Sequence, residues 1–530
     1  MPELPPPVPE ARLRTLGARP VRDRPAGATH VLYWMTATRR TGASFTLEHA
    51  LGEATRLGLP LVVLEALGAD HPHASARLAD VVARGMVDNH AAVRAAIAAA
   101  GGPAAVPLRY LAYLEPRPGA GAGLVRALAA DAALVIGDAY PTYHLPALHR
   151  ALAERIAVPV VLVDAGTVVP MSSAPKAFAR AHDLRRWLHA ELPAALERGP
   201  LPDPLATLLP DLAGAVSAAG WQADAFDAGL DAVLAPWPLL LDARRPGEVE
   251  VDVVVGELEL AFDVSPVRST DEPLGPRAAE QRLDVFLDTW LEGYRATTNR
   301  PRPTSLLSTA LHFGHLGPHQ VLGALFEREP WHPEDADPSK RGNRAGWWGL
   351  SEHAEGWLDQ VLTWRELGWN HALLDPDHAR YAGLPAWARQ TLEEHAADPR
   401  DATYTLEQLE AAETHDEVWN AAQRQLVRDG RIENYLRMLW GKLILAWTPD
   451  PAEAFERCLL LNDRYALDGR DPNSYSAIAW VFGKFDRPWG PERPVFGKIR
   501  YMTSESTRRK LRLGPYLERY GPGQGELFLD

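Results

Sequence analysis

The 530-residue chain contains a single cysteine, Cys458, which excludes an internal disulfide framework and a cysteine-rich metal finger. We therefore predict no metal site. Its longest apolar runs, such as residues 159–163 and 239–241, are far shorter than the ~20 residues of a membrane-spanning helix. The first residues, MPELPPPVPEARLR, lack the apolar core of a secretion signal. These absences predict a soluble cytoplasmic protein that does not enter a membrane.

The sequence also lacks the glycine-rich signatures of common nucleotide sites, since it has neither a GxGxxG motif nor a P-loop. Positive charge is scarce, because 55 Lys and Arg face 69 Asp and Glu, giving a net charge of −14. Phosphate neutralisation needs Lys and Arg, so binding to nucleic acid would require a locally basic patch. A content of 46% hydrophobic and 23% charged residues excludes a disordered or collagen-like chain.

Tryptophan is abundant and unevenly distributed, because 13 of the 17 tryptophans follow residue 285. This side chain usually packs against something flat or large. We therefore expect a planar ligand in the C-terminal half.

In the N-terminal half, short apolar runs alternate with segments of helical spacing, which predicts a parallel sheet covered on both faces. The predicted strands are residues 29–35, 60–64, 106–111, 133–137 and 158–164, and the predicted helices are residues 45–57, 76–100 and 123–131. Sheets of this kind bind ligands at the carboxyl ends of their strands.

After about residue 278 the strand alternation stops, which predicts an all-helical second half. The predicted helices there are residues 282–294, 316–329, 354–369, 407–427, 433–447 and 451–460. We assign residues 1–28 to a flexible arm, 29–175 to an α/β domain, 176–280 to a connection and 281–520 to a helical domain.

The segment TSLLSTALHFG, residues 304–314, is the first candidate for chemistry. Its hydroxyls and backbone N–H groups at a predicted helix start suit a phosphate. Taken alone, an ordinary N-cap is the simpler explanation of the same residues.

The segment WLDQVLTWRELGWN, residues 357–370, is the second candidate. Helical spacing places Trp357, Gln360, Thr363 and Trp364 on one face. A polar amide between two indoles could contact a flat heterocycle, although an amphipathic core helix would show the same pattern.

Trp419, Trp440 and Trp447 form the third candidate. Trp440 and Trp447 lie seven residues apart and so share a helix face. A row of indoles can conduct an electron to a buried redox cofactor, but core aromatics are the simpler alternative.

The fourth candidate begins with LNDRYALDGRDPNSY, in which the polar stretch DGRDPN predicts a turn-rich loop next to a binding site. Residues 498–512 then concentrate Lys and Arg, including Arg500, Arg508 and Arg509. This patch suits a phosphate backbone, although most charge runs are solvated helix faces.

Taken together, these residues resemble the photolyase/cryptochrome flavoproteins, most closely class II cyclobutane pyrimidine dimer photolyases. The resemblance rests on VLYWM, VDAGTVVP, TSLLSTALHFG, WARQTLEEH, THDEVWNAAQ, NYLRMLWGKLILAWT, LNDRYALDGRDPNSY and RPVFGKIRYM. It implies an α/β N-terminal domain with a Rossmann-like sheet and an all-α C-terminal domain that binds FAD.

The implied activity is light-driven repair of DNA. In the family, reduced FAD donates an electron to a pyrimidine dimer, either flipped from a duplex or presented in a single strand, and the dimer splits. The implied partner is thus damaged DNA, and we expect a monomer.

Carried over residue by residue, the resemblance assigns a set of positions to FAD: Tyr294, Thr304, Ser305, Leu307, Ser308, Asn434, Arg437, Asp468 and Asp471. Arg437 is expected to pair with Asp468. Asn462 corresponds to the asparagine near flavin N5. Trp440, Trp419 and Trp447 correspond, in that order from the flavin outward, to the photoreduction chain.

The implied DNA contacts are Trp364 and Trp480 as an aromatic clamp on the dimer, with Met438 beside it. Arg487 corresponds to the arginine that fills the gap in the duplex, and Arg500, Arg508 and Arg509 supply positive charge.

The sequence departs from the family pattern at Gln360, where a glutamate usually hydrogen-bonds the dimer. An amide can donate and accept, but it cannot supply a proton. The segment GKFDRPW, residues 483–489, is also one residue shorter than usual. A deazaflavin or folate antenna in the N-terminal domain is left open.

Two other functions compete with repair. A cryptochrome-like blue-light receptor would share the FAD and the tryptophans, and Gln360 favours it slightly. The short stretch after Pro515 and the retained DNA-contacting residues favour repair. A flavin or nucleotide scaffold without photochemistry would make the tryptophan spacing accidental.

Overall fold

The computed structural model describes residues 7–17, 23–245, 247–267, 272–294 and 304–522. Its N-terminal half is built on a seven-stranded sheet. The strands are β1 Leu13–Leu16, β2 His30–Met35, β3 Leu61–Leu67, β4 Leu108–Leu114, β5 Ala132–Asp138, β6 Val160–Val163 and β7 Leu241–Asp242.

The strand order is β1-β6-β5-β2-β3-β4-β7, with the five central strands parallel and both edge strands antiparallel. The continuous apolar runs arise because the central strands are buried on both faces, as all seven residues of β4 and of β5 are. From β2 the chain proceeds to β3 on one side, whereas β5 lies on the other. This change of direction leaves a crevice at the carboxyl ends of the strands.

Helices pack around the sheet: α1 Phe45–Leu57, α2 Ala76–Ala99, α3 Leu124–Ala130, α4 Leu145–Ala153, α6 Pro204–Ala218, α7 Ala223–Leu234 and α8 Val251–Gly256. The helix between α4 and α6, α5 Ala181–Glu197, packs its buried side chains against the C-terminal half instead. The α/β prediction is confirmed. The bounds of α1 match the prediction because Ser44 caps its first turn and Gly58, at φ 62°, ends it in the left-handed conformation.

Two N-terminal expectations differ from the structure. Leu13–Leu16, within the predicted flexible arm, pairs with Val160–Val163 as the edge strand β1, while residues 1–6 and 18–22 of that arm lie outside the described residues. The predicted connection contains helices and β7, which pairs with β4. Both edge strands find their partners far away in sequence, which local patterns do not indicate.

The C-terminal half is helical, as predicted: α9 Pro276–Val285, α10 Ser308–Phe313, α11 Pro318–Arg328, α12 Glu352–Leu358, α13 Arg365–Leu374, α14 Ala386–Glu394, α15 Leu406–Glu410, α16 Glu417–Asp429, α17 Asn434–Trp447, α18 Pro451–Tyr465, α19 Pro472–Val481, α20 Ser504–Lys510 and α21 Gly514–Arg519. Wider π-helical turns follow α9 at Phe286–Trp290 and join α12 to α13 at Asp359–Trp364.

The single helix predicted for residues 407–427 is wrong, because the chain breaks between α15 and α16. Ala412 has a φ of 56°, and Asp416 starts a new helix by accepting a hydrogen bond from the Trp419 N–H. A capping aspartate in the middle of an apparently helical pattern was therefore the missed signal.

Buried side chains join the two halves. Arg40, which lies in the N-terminal half, donates to the Gly314 carbonyl at 3.0 Å. Glu366 on α13 accepts a 2.6 Å hydrogen bond from the Val168 N–H. Arg365 donates to the Gly166 carbonyl at 2.7 Å. The helical half is thus held on the loop that follows β6.

Within the described residues, no helix is both long and apolar enough to cross a lipid bilayer.

Candidate functional site

A cavity of about 690 Å³ opens among the helices of the C-terminal half. Most of the site residues predicted from the sequence line it: Tyr294, Thr304, Ser305, Leu307, Ser308, Gln360, Trp364, Asn434, Arg437, Met438, Trp440, Asp468, Asp471, Trp480 and Arg500. This volume lies in the usual range for a cofactor or drug-sized ligand. Residues that are up to about 200 positions apart in sequence therefore share one cavity.

The loop before α10 contributes hydroxyls to the lining of this cavity. Arg282 holds the loop by donating to the Ser305 and Thr304 carbonyls, both at 2.9 Å. Leu306 has a φ of 58°, so the chain turns sharply between Ser305 and Ser308. Tyr294 also lines the cavity, and burial raises the pKa of its phenol to about 12. Neutral hydrogen-bond donors are thus collected where a phosphate could bind.

Arg437 and Asp468 form an ion pair on the cavity wall, with 3.2 Å between Arg437 Nη2 and Asp468 Oδ1. The predicted pairing is confirmed. Both side chains are largely but not fully buried, at 19% and 16% exposure, so the pair remains accessible from the cavity. A cation fixed in this way can stabilise negative charge on a ligand.

Asn462 does not line the cavity. It is buried, and its amide donates to Ser474 Oγ at 2.7 Å and to Asp463 Oδ1 at 3.3 Å. Ser474 is the member of this group that reaches the cavity. Sequence reasoning missed Ser474, although the residue lies in the quoted LNDRYALDGRDPNSY segment.

Asp471 caps the N-terminus of α19 by accepting a 2.8 Å hydrogen bond from the Asn473 N–H. Its second oxygen accepts from the Tyr140 hydroxyl at 3.1 Å and lies 3.5 Å from His312 Nδ1. Burial acts to raise the pKa of the Asp471 carboxyl, but hydrogen bonds from His312 and the Asn473 N–H, together with the positive charge of Arg365, outweigh burial and lower it. The carboxylate is therefore stabilised in its charged form.

The tryptophan row runs from the cavity into the helical core. The rings of Trp440 and Trp419 are parallel within 3°, with centroids 6.5 Å apart. Trp447 contacts Trp419 edge-on at 5.4 Å. The Trp440 indole donates to Gln423 Oε1 at 2.9 Å, and all three tryptophans are buried. The rings are thus in contact in the predicted order, starting from the cavity.

Trp364 and Trp480 lie at the cavity and stack directly on each other, with centroids 4.5 Å apart and planes 10° apart. A base can enter between the two rings only if they separate. Otherwise it must stack on an outer face. The clamp role stays a prediction.

The irregular helix also changes which side chains reach the cavity. Trp357 and Gln360 line the cavity with Trp364, whereas Thr363 does not. The π-helical turns at Asp359–Trp364 shift the register from ordinary helical spacing, so the expected shared face holds only in part.

The predicted DNA-contacting arginines fall into two groups. Arg487 and Arg500 both approach the Trp489 ring, at 4.5 and 5.4 Å from its centroid. Arg508 and Arg509 lie outside the cavity lining and pair with Glu417 and Glu505, each at 2.5 Å. The basic patch is therefore partly neutralised within the chain.

A second cavity of about 450 Å³ lies at the carboxyl ends of the sheet strands. Its lining is rich in aromatic and imidazole side chains, namely Trp34, His71, Tyr113, Tyr140, Tyr143, His144, His312 and Phe313. Tyr140 and His312, which contact Asp471, form part of the wall between the two cavities. The tendency of parallel sheets to bind ligands at the carboxyl ends of their strands predicts where this cavity lies, but it does not predict which residues line it.

Comparison with known proteins identifies one relative that spans almost the whole chain and others that span about half of it. No family model matches. The chain is 30% identical over 502 residues to a deoxyribodipyrimidine photo-lyase of Methanothermobacter thermautotrophicus, covering 93% of this chain and 94% of the relative. It is 35% identical over 290 residues to the protein of that name from Oryza sativa, covering 53% of each.

Among solved structures, a bacterial class III photolyase from Agrobacterium tumefaciens matches with a TM-score of 0.59 at 16% identity, covering 93% of this chain and 86% of that one. At this identity the match supports the fold alone. The Methanothermobacter relative, by contrast, aligns across almost its full length, and this chain therefore belongs to the photolyase/cryptochrome family.

Proposed function

We propose that the protein repairs cyclobutane pyrimidine dimers in DNA by light-driven electron transfer from reduced FAD. The observation that carries this proposal is the single cavity in which hydroxyls, the Arg437–Asp468 pair, the inner end of a tryptophan row and a half-buried tryptophan pair come together. Each of these features has a place in such a reaction.

The cavity residues fit FAD. Thr304, Ser305 and Ser308 would hold the phosphates through their hydroxyls, and Arg437 would place a cation near the ring system. Bound and fully reduced FAD supplies an excited electron under blue light. Asn462 would act through Ser474, to which it donates its hydrogen bond.

The tryptophan row serves activation rather than repair in this proposal. Trp440 would give up an electron to restore the reduced cofactor. Trp419 would then reduce the oxidised Trp440, and Trp447 would reduce Trp419. Contact between successive rings supports this order. Burial of all three indoles keeps water away from the oxidised rings.

The dimer would bind at the Trp364–Trp480 pair, beside Met438 and Gln360. Stacking on aromatic rings contributes about 1–3 kcal/mol per base and suits any pyrimidine. Gln360 can donate to a base carbonyl and accept from a base N–H. Arg487 and Arg500, held against Trp489, would contact the opened duplex.

Illumination of the reduced protein with an oligonucleotide that carries one thymine dimer tests the proposal. We expect thymine absorbance to return in the light and not in the dark. Bound flavin without any recovery of thymine would instead favour a blue-light receptor. Gln360, which replaces the usual glutamate, is the observation that favours this alternative.

We also propose that the second cavity holds an antenna chromophore. Its aromatic lining and position at the strand ends suit a flat, conjugated molecule such as a deazaflavin. A folate is the other candidate. Ala66→Trp should place an indole in this cavity, obstruct it and abolish the antenna absorbance while leaving FAD bound, whereas unchanged antenna binding would refute the assignment.

A further inference from the structure

The tryptophan row continues beyond Trp447 to two more aromatic side chains. Tyr404 contacts Trp447 edge-on, with ring centroids 5.1 Å apart. His415 contacts the same indole at 5.5 Å. Tyr404 lies two residues before the start of α15, and His415 lies in the break between α15 and α16. The split that local sequence patterns did not predict therefore places an imidazole beside the outer end of the row.

Tyr404 and His415 are joined by a pair of hydrogen bonds. The Tyr404 hydroxyl lies 2.5 Å from His415 Nδ1. The backbone N–H of His415 donates to the same hydroxyl oxygen at 3.0 Å. Because that backbone N–H occupies the phenol oxygen as an acceptor, the phenolic O–H is left to donate to Nδ1. Arg457 fixes the tyrosine by donating to its backbone carbonyl at 2.8 Å.

Exposure increases outward along this path. Trp419 and Trp447 are 0% and 4% exposed, Tyr404 is half-buried and His415 is exposed. An external reductant therefore has little access to the Trp447 ring but can approach Tyr404. An oxidised Trp447 can recover its electron from the reduced cofactor in the cavity, which would undo the photoreduction. Transferring the electron vacancy outward to Tyr404 increases the distance and slows this recombination.

We propose that Tyr404 is the terminal electron donor of the row and that His415 accepts its proton. Tyr404 passes one electron to the Trp447 radical cation, its O–H bond breaks, and the proton moves to His415 Nδ1. The products are neutral Trp447, a neutral tyrosyl radical and a protonated His415, so charge and electrons balance. This inference rests on the proposed photoreduction through Trp440.

The chemistry explains why the imidazole matters. A phenol becomes a strong acid when it loses an electron, so oxidation is favourable only if a base takes the proton at once. His415 Nδ1 is already at hydrogen-bond distance. A tyrosine that merely covers Trp447 would need no such base.

Transient absorption and electron paramagnetic resonance of the FAD-loaded protein test the proposal. In the wild type we expect the tryptophan radical to decay into a tyrosyl radical, more slowly in heavy water. Tyr404→Phe should abolish the tyrosyl signal, and His415→Gln should slow its formation and reduce the isotope effect. Tyr381→Phe, a half-buried tyrosine outside the row, should leave the signal unchanged.

A second measurement avoids the flavin. Azide radicals made by pulse radiolysis oxidise tryptophan, and the hole should then reach Tyr404 in the wild type but not in Tyr404→Phe. Tryptophan radicals that persist unchanged in the wild type would overturn the inference. Loss of all light-driven flavin reduction in the wild type, with normal transfer after radiolysis, would instead overturn the proposed photoreduction through Trp440 and leave this inference standing.

Discussion

The Trp419 indole donates a 3.0 Å hydrogen bond to the backbone carbonyl of Trp440, whose own ring lies parallel to it at 6.5 Å. The bond fixes the rotation of Trp419 against the next helix, so the two rings keep one relative orientation. Electron transfer between aromatic rings depends steeply on separation, and a fixed contact keeps the rate uniform. The row is therefore a rigid part of the helical core.

Trp440→Phe should block photoreduction of the oxidised protein, because it removes the ring that joins the cavity to the row. Chemically reduced protein should still repair dimers. The change also leaves Gln423 Oε1 without its indole donor, which should lower the free energy of unfolding by about 1–3 kcal/mol. Flavin absorbance under illumination with a thiol, and denaturant unfolding, measure the two effects.

Trp331→Phe is the matched control, since Trp331 is equally buried but lies in a different cluster. It should cost stability without changing photoreduction. Normal photoreduction of Trp440→Phe would show that the electron path runs elsewhere.

Trp364→Ala and Trp480→Ala should each weaken binding of dimer-containing DNA. Loss of one stacking surface costs about 1–3 kcal/mol, or about 5- to 150-fold in affinity. Undamaged DNA, which binds mainly through its phosphates, should bind as before. Competition binding with the two DNAs measures the ratio, and an equal loss for both would argue against a clamp.

Gln360→Glu introduces a carboxylate at the position that the family resemblance assigns to a glutamate. A hydrogen bond to a charged group exceeds a neutral one by about 1 kcal/mol, so repair should become about fivefold faster. FAD affinity should not change. Repair rate under saturating light is the measurement.

Gln222→Glu adds the same charge at an exposed helix start in the N-terminal half and should leave repair unaltered. If Gln360→Glu slows repair instead, then the neutral amide is the better partner for the bound dimer.

Local signals in the sequence account for much of the fold. Ser44 and Gly58 flank an amphipathic run, so the bounds of α1 follow from capping and the left-handed conformation. The central strands could likewise be predicted, because burial on both faces leaves continuous apolar runs. The ion pair between Arg437 and Asp468 followed from the family resemblance, since its partners lie on separate elements.

Features that depend on distant partners could not be predicted in this way. The π-helical turn at Asp359–Trp364 moves Thr363 away from the cavity, and Asn462 points to Ser474 instead of lining the cavity. The edge strand β1 exists because β6, about 150 residues later, offers unpaired backbone groups. Tertiary packing determines the positions of these side chains and the pairing of this strand.

Glu366→Gln should change how stability depends on pH. Burial raises the pKa of this carboxyl to about 8, with Asp164 acting in the same direction, while the Val168 N–H, Arg365 and Arg12 oppose the shift. In the unfolded chain the carboxyl titrates near pH ~4.3, so between the two values the folded protein holds a proton that the unfolded chain has lost. The contribution of Glu366 to stability is therefore complete below pH ~4.3 and is lost as the pH rises through about 8.

A glutamine has no such proton, and its carbonyl can still accept from the Val168 N–H. The stability of Glu366→Gln relative to the wild type should thus increase between about pH 5 and about pH 8. Urea unfolding at both values measures the difference, with Glu154→Gln on the exposed surface as the control. A difference that stays constant with pH would mean that Glu366 is ionised in the folded protein throughout this range, contrary to its burial between the two halves of the molecule.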